Sequence, residues 1–144
     1  MTTTTPPLQQ RLEAILPELI ELRRHLHSHP ELSGEEHQTA ALISGEVRQC
    51  GWRVREGVGR TGVLAELGPQ SGPQLGLRVD MDALPVEERT GLAYASLRQG
   101  VMHACGHDLH SCMGWGVARL LAQETSLPVG MRLLFQPAEE IAQG

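Results

Sequence analysis

Metal-binding side chains are concentrated in one short segment of the chain. Positions 103–110 carry His103, Cys105, His107, Asp108 and His110, which include three of the seven histidines and one of the three cysteines. Histidine, cysteine and aspartate are side chains that hold transition metals in proteins. The density of these residue types in one segment therefore predicts a metal site.

A pair of carboxylates follows the last apolar run of the chain. Glu139 and Glu140 come shortly after Phe135, which ends a segment predicted to be a strand. In a metal-dependent hydrolase, one carboxylate can bind the ion while the other moves protons. The ligand cluster and the paired carboxylates together suggest a metallohydrolase. Taken alone, the pair could equally be the solvated start of a helix, where acidic residues are favoured.

The elements that must position these residues begin with helices and continue with strands. Apolar spacing predicts a helix from Leu8, kinked or divided at Pro17. A second helix is expected after a capping box formed by Ser33 and Glu36, and a third after Asp108 as its cap. We expect strands at about 52–55, 62–68, 75–79 and 129–135 and the third helix over about 108–124. This order predicts an α/β fold.

An α/β sheet would bring the candidate residues to one place. Asp80 and Asp82 follow the third strand, the two glutamates follow the fourth, and Cys105 and His107 precede the intervening helix. Ligands of open α/β sheets gather at the carboxyl ends of the strands. If the third and fourth strands are parallel, all three groups can meet at one edge. Taken alone, Asp80-x-Asp82 is more often a turn former than part of a site.

Composition excludes several classes of function. A net charge of -5, a pI of about 5.8 and an aromatic content of 3% argue against a nucleic-acid partner. No apolar run approaches the roughly 18 residues of a membrane-spanning helix. Residues 1–7 show no basic region followed by an apolar stretch, so no secretory signal is predicted. Three cysteines cannot all pair within one chain, which favours a reducing, cytoplasmic location.

The remaining histidines and cysteines have simpler interpretations. His25, His27 and His29 are spaced by two, which does not place side chains on one helix face. We interpret them as histidines at a helix end and on the surface. Cys50 and Cys112 are expected to be small buried apolar residues.

Several motifs follow one another along the chain. They are Arg24-x-Leu26-His27-x-x-Pro30-Glu31-Leu32-Ser33, Gly59–Gly62, Arg78–Pro85 with Asp80-Met-Asp82, Glu88-x-Thr-Gly-Leu92, Met102–His110 and Gln136–Glu140. Taken together, these motifs resemble those of the amidohydrolases that include hippurate hydrolases, N-acyl-amino-acid hydrolases and auxin-conjugate hydrolases. The resemblance covers about residues 10–144, and its motifs occur in the expected order. The resemblance implies the phosphorylase/hydrolase-like α/β catalytic domain of the dinuclear metallopeptidases, of which this chain would form the N-terminal part with an incomplete sheet.

The resemblance also implies roles for individual residues. Cys105 and His107 would bind metal together with Glu140, and Cys105 would bridge two divalent ions, such as manganese, zinc, cobalt or nickel. Glu139 would be the general base, and Asp82 would orient a ligand. The role of Asp80 is left open, and His103 and His110 are not taken as ligands. The substrate would be a small N-acyl amino acid, and longer relatives are often homodimers.

The chain stops at Gly144, before the positions where such relatives carry further ligands and an inserted dimerisation domain. We expect residues 1–144 to be an N-terminal part of the catalytic domain, inactive alone, with its last strand at risk of being an open edge. Two other interpretations stay open at this point. The chain could be an inactive fragment that binds metal or another subunit, or a cysteine hydrolase with Cys105 as nucleophile.

Overall fold

The computed structural model describes residues 6–144. Residues 1–5, which belong to the segment predicted to lack a secretory signal, lie outside the described part. The described residues form three α-helices: α1 (Leu8–Ser28), α2 (His37–Gln49) and α3 (His107–Leu121). The same part of the chain contains four strands: β1 (Arg53–Val58), β2 (Gly62–Leu67), β3 (Gln74–Asp80) and β4 (Gly130–Gln136). A short 3₁₀ turn, η1 (Glu139–Ile141), follows β4. The α/β class is confirmed.

The first helix runs without a break through Pro17. A proline inside a helix removes one backbone hydrogen bond, which must be replaced or solvated. Pro17 lies on the exposed side of α1, so water can reach the freed carbonyl group. The buried side of α1 carries Ile15, Leu22 and Leu26. The sequence pattern therefore predicted the helix correctly, while the suggested division at Pro17 is absent.

The sheet is open and mixed, with the strand order β1-β2-β4-β3. β1 pairs antiparallel with β2, and β2 pairs antiparallel with β4. β3 pairs parallel with β4, with Asp80 opposite Gln136 at their carboxyl ends. The parallel direction on which the predicted site depended is confirmed. The expectation of an open edge at the last strand is wrong, because β4 lies between β2 and β3 and the open edges belong to β1 and β3.

The core lies between the sheet and the helices. Alternate residues of the two central strands face it, including Val63 and Ala65 of β2 and Leu133 and Phe135 of β4. α3 approaches this face closely at Gly114, where an added Cβ would lie 2.9 Å from a ring carbon of Phe135. The missing side chain therefore allows α3 to lie directly on β3 and β4, and α1 packs on α3 in turn.

Two predicted helix caps are wrong. The side chain of Ser33 does not cap α2, which begins at His37 without a side-chain cap from Glu36. The amides at the start of that helix donate instead to the buried carboxylate of Glu31. Asp108 lies inside the first turn of α3, whose preceding residue is a left-handed glycine, Gly106. Short-range patterns failed here because Ser33, Glu36 and Asp108 bond to distant segments.

Within residues 6–144, no helix combines the length and the apolar character needed to cross a membrane.

Candidate metal centre and active site

The candidate residues meet at the carboxyl ends of β3 and β4. Asp80 ends β3, Asp82 follows it, and η1 carries Glu139 and Glu140 just after β4. α3 starts at the same end, with His107 as its first residue. The hydroxyl of Ser111, one turn into α3, donates to the carbonyl of Asp80 at 2.9 Å. The helix and the two parallel strands thus deliver three separate segments to one place.

Asp82 fixes the ring of His107. The Nδ1 atom of His107 lies 2.9 Å from the carbonyl oxygen of Asp82 and 3.2 Å from its Oδ1 atom. Both partners are acceptors, so Nδ1 carries the proton and donates. The hydrogen bond to Asp82 and the nearby carboxylates raise the pKa of His107. In its neutral form the ring would present an unprotonated Nε2 to the carboxylates, as a metal ligand must. Asp82 thus contacts His107 as a residue that orients a ligand would.

Three donor atoms of different chemistry lie together in front of this ring. Single ligand atoms of Cys105, His107 and Glu140 all lie within 4.8 Å of one another. The Oε1 atom of Glu140 is buried, forms no hydrogen bond and lies 3.8 Å from Nε2 of His107. A buried carboxylate oxygen without a partner is unfavourable unless a cation binds it. A thiolate, an imidazole and a carboxylate together fit a divalent transition metal.

A second group consists of Asp80, His107 and His110, whose ligand atoms also lie within 4.8 Å of one another. Here, however, the carboxylate already has cationic and hydrogen-bonding partners. Nη2 of Arg78 lies 3.0 Å from Oδ1 of Asp80, and Nδ1 of His110 lies 3.2 Å from Oδ2. Asp80 thus has a cationic neighbour in Arg78, although its Oδ1 atom, like Oε1 of Glu140, is buried and forms no hydrogen bond.

Glu139 differs from its neighbour in its access to solvent. Its side chain is 36% exposed, whereas that of Glu140 is 19% exposed. One carboxylate oxygen lies 3.8 Å from Nε2 of His107, and the other lies 3.7 Å from Nη2 of Arg78. Glu139 can thus face both the donor cluster and the solvent, which suits a group that exchanges protons.

The pKa values of two nearby groups are shifted in opposite directions, by hydrogen-bond donors in one case and by carboxylates in the other. Burial opposes ionisation of Asp82, but hydrogen bonds from His107, Ser33 and the amide of Glu140 together hold its pKa well below the usual range. The Glu140 carboxylate, with smaller effects from burial and from other nearby carboxylates, raises the pKa of the Cys105 thiol. Cys105 thus favours the neutral thiol unless a cation compensates the negative charge around it.

A buried ionic cluster lies beside the start of α3, and the sequence interpretation missed it. His27 is buried and contacts Oδ2 of Asp108 at 2.8 Å and Oε1 of Glu88 at 3.2 Å. Nε of Arg23 lies 2.9 Å from the same Asp108 oxygen. The assignment of His27 to the surface is therefore wrong. Arg23 and His27 are four apart on α1, which is the helical signal that could have revealed the pair.

The other assignments from the sequence are mostly correct. His25 and His29 are exposed, with their rings stacked at 4.4 Å. Cys112 is buried as expected, while Cys50 is only partly buried. His103 is buried, and burial lowers its pKa to about 4. Neither donor group described above includes His103, and neither of its ring nitrogens forms a hydrogen bond.

Comparisons with known proteins identify a matching family and several relatives of this chain. Residues 76–144 match the family model described as Peptidase family M20/M25/M40. A probable hydrolase of Synechocystis is 54% identical over 95% of this chain and 36% of its own length. An N-acetyl-L-cysteine deacetylase of Bacillus subtilis is 49% identical over 92% of this chain and 32% of its own length. The resemblance inferred from the motifs is confirmed.

A solved structure supports the fold over nearly the whole chain. The Bacillus subtilis YXEP protein, described as a dinuclear metal-binding peptidase of the M20 family, superposes with a TM-score of 0.85 and is 44% identical. The match covers 92% of this chain and 38% of that one. The chain therefore spans about a third of the length of the curated relatives it matches.

Proposed function

We propose that this chain, whose residues 76–144 match the model of Peptidase family M20/M25/M40, forms part of a metal-dependent amidohydrolase that cleaves N-acyl amino acids. The observation that carries the proposal is the convergence of Cys105, His107 and the unpartnered Glu140 oxygen beside a second, solvent-accessible glutamate. The names of relatives, such as an N-acetyl-L-cysteine deacetylase, support the substrate class.

Cys105, His107 and Glu140 are proposed to hold metal in a centre of two divalent ions, completed by ligands outside this chain. A bound divalent ion would lower the pKa of a water molecule and polarise the amide carbonyl of the substrate. Asp82 holds the His107 ring with Nε2 toward the donors. Its hydrogen bonds thereby fix both the tautomer and the orientation of a ligand.

Glu139 is proposed as the proton carrier of the reaction. Its carboxylate would accept a proton from the attacking water and return it to the nitrogen of the leaving amino acid. The breaking amide bond would then yield a carboxylic acid and a free amino group. The position of Glu139 between Nε2 of His107 and solvent supports this role, because the group must exchange protons on both sides.

A cysteine hydrolase is less well supported. A nucleophilic cysteine needs a lowered pKa, supplied by a nearby cation or helix N-terminus. The carboxylates of Glu140, Glu139 and Asp80 instead raise the pKa of Cys105. A thiolate at this position is stabilised by a bound metal, so the same observation favours the metallohydrolase.

We further propose that residues 1–144 correspond to the N-terminal part of the catalytic domain. The coverage of about a third of each relative supports this extent. Under this proposal, an inserted dimerisation domain and the other part of the catalytic domain would belong to a longer protein. Because a missing ligand leaves a metal weakly held, residues 1–144 alone would be inactive. A cytoplasmic location is supported by three cysteines without a disulfide.

The test uses two proteins: residues 1–144 and a version extended to the length of its relatives. Each is saturated with manganese or zinc and assayed on hippurate and on N-acetyl amino acids. We expect hydrolysis only by the extended protein, and its loss after treatment with a chelator. Activity that survives chelation and is lost on alkylation of Cys105 would instead support the cysteine hydrolase.

A further inference from the structure

Glu36 is a fully buried carboxylate that the proposed chemistry does not use. Its exposed fraction is 0%, and in the described part of the chain no arginine or histidine forms an ion pair with it. Its partners are instead the amides of Gly34 and Ala138, each at 2.8 Å, and the hydroxyl of Thr61. Burial of a carboxylate costs free energy, and the three donors that converge on Glu36 compensate for its lost hydration.

The partner of Glu36 that lies farthest away along the chain is Ala138, the residue directly before the two glutamates. Ala138 is buried and has φ 51° and ψ 36°, in the left-handed region that residues with a Cβ seldom occupy. This conformation turns the chain out of β4 and into η1. The hydrogen bond from the Ala138 amide to Glu36 therefore holds an unfavourable turn at the base of Glu139 and Glu140.

The same segment before α2 supports the turn through a second carboxylate, that of Asp82. Ser33, three residues before Glu36, donates its hydroxyl to Oδ2 of Asp82 at 2.6 Å. That oxygen also accepts the amide of Glu140 at 3.0 Å. The amides on both sides of Glu139 are thus held by buried carboxylates, one from Glu36 and one from Asp82.

We propose that Glu36 is a positioning residue for the Glu139–Glu140 pair. It acts through the backbone of Ala138 and sets where the two carboxylates lie relative to His107. The inference rests on the proposed metal centre, since Glu140 is one of its assigned ligands. Glu36 itself is not a ligand, because hydrogen bonds already occupy both of its oxygens.

Glu31 provides a matched control for a purely structural role. It too is a buried carboxylate in the segment before α2. Its oxygens accept the amides of Gln38 and Thr39, at 3.1 and 2.8 Å. Those bonds stabilise the start of α2 and do not reach Ala138. Loss of the Glu31 carboxylate should therefore weaken the fold without moving Glu139 or Glu140.

The test compares Glu36→Ala, Glu36→Gln and Glu31→Ala in residues 1–144. Amide hydrogen exchange at Ala138 and Glu140 is followed by NMR, and cobalt(II) affinity is measured by optical titration. For Glu36→Ala we expect exchange at least about 10-fold faster and cobalt affinity about 10- to 100-fold weaker. Glu31→Ala should change neither. Glu36→Gln should retain both, because its carbonyl oxygen still accepts the amides and Thr61 can rotate to accept from its NH₂ group.

Parent-like exchange and affinity in Glu36→Ala would overturn the inference, as would equal losses in Glu31→Ala. If Glu36→Ala does not fold, Thr61→Val decides, since it removes a single donor and should give a smaller loss in the same two measurements. An unchanged Thr61→Val would then contradict the inference. Absence of cobalt binding by the parent would contradict the proposed metal centre, while the exchange comparison would still decide the role of Glu36.

Discussion

The two halves of the candidate centre are held in place by different interactions. His107 is the first residue of a 15-residue helix that packs on the sheet and on α1. Glu139 and Glu140 lie on a three-residue turn with no buried residue of its own. Hydrogen bonds to Glu36 and Asp82 hold that turn. One half thus depends on extensive apolar packing, and the other depends on a few polar contacts.

This difference indicates which half of the centre is the more mobile. Segments with few buried apolar contacts open more readily than segments anchored in the core. We therefore expect His107 to be rigid and the glutamate turn to be the more mobile half. Substitutions in the turn should affect chemistry more than stability, and substitutions under α3 should affect stability first.

The largest effect is expected in the mobile half, in a protein extended to the length of its relatives. Glu139→Gln should retain metal but lose turnover by about 10²–10⁴-fold, because an amide cannot accept the proton. Glu140→Ala should lose metal as well as turnover. Activity and metal content are measured on the same preparations. Near-parent turnover in Glu139→Gln would show that Glu139 is not the base.

Gly114→Ala tests the packing that holds the rigid half, because Gly114 lies where α3 contacts the sheet. The added Cβ would lie 2.9 Å from Phe135 and 3.0 Å from Val79, so either α3 or the Phe135 ring must shift. We expect a loss of about 1–3 kcal/mol in the free energy of unfolding, measured in urea. Gly45→Ala in α2 is the matched control, because its Cβ would meet nothing within 4 Å. That variant should instead gain about 0.5–1 kcal/mol from helix propensity. An equal change in the free energy of unfolding of the two variants would contradict the close contact between α3 and the sheet.

The smallest effect concerns the ionic cluster beside α3. Burial opposes ionisation of Glu88, but hydrogen bonds from Thr90, the Ser96 amide and His27 outweigh it and lower its pKa below 4.5. A lowered pKa in the folded state adds stability above pH 4.5, which is lost as the pH falls through the folded-state value. Urea midpoints should therefore favour the parent over Glu88→Gln at neutral pH. That advantage should shrink under more acidic conditions, and a difference independent of pH would contradict the assignment.

The sequence predicted the helices and strands better than it predicted the polar contacts between distant segments. Apolar spacing identified α1, α3 and all four strands, and the motifs singled out Cys105, His107 and Glu140. The missed features join residues far apart in the chain. Ser33 and Glu36 have the local pattern of a capping box, yet they bond to Asp82 and Ala138. His27 has the local pattern of a surface residue, yet it contacts Asp108. Local patterns do not encode such partners.

X-ray absorption on zinc-loaded residues 1–144 tests the central claim most directly. We predict a metal coordination shell that contains one sulfur, from Cys105, together with nitrogen and oxygen ligands. The double variant Cys105→Ala/His107→Ala should lose the sulfur signal and most of the bound zinc, as measured by mass spectrometry. A parent spectrum with only nitrogen and oxygen ligands, or an unchanged zinc content in the double variant, would contradict the proposed metal centre.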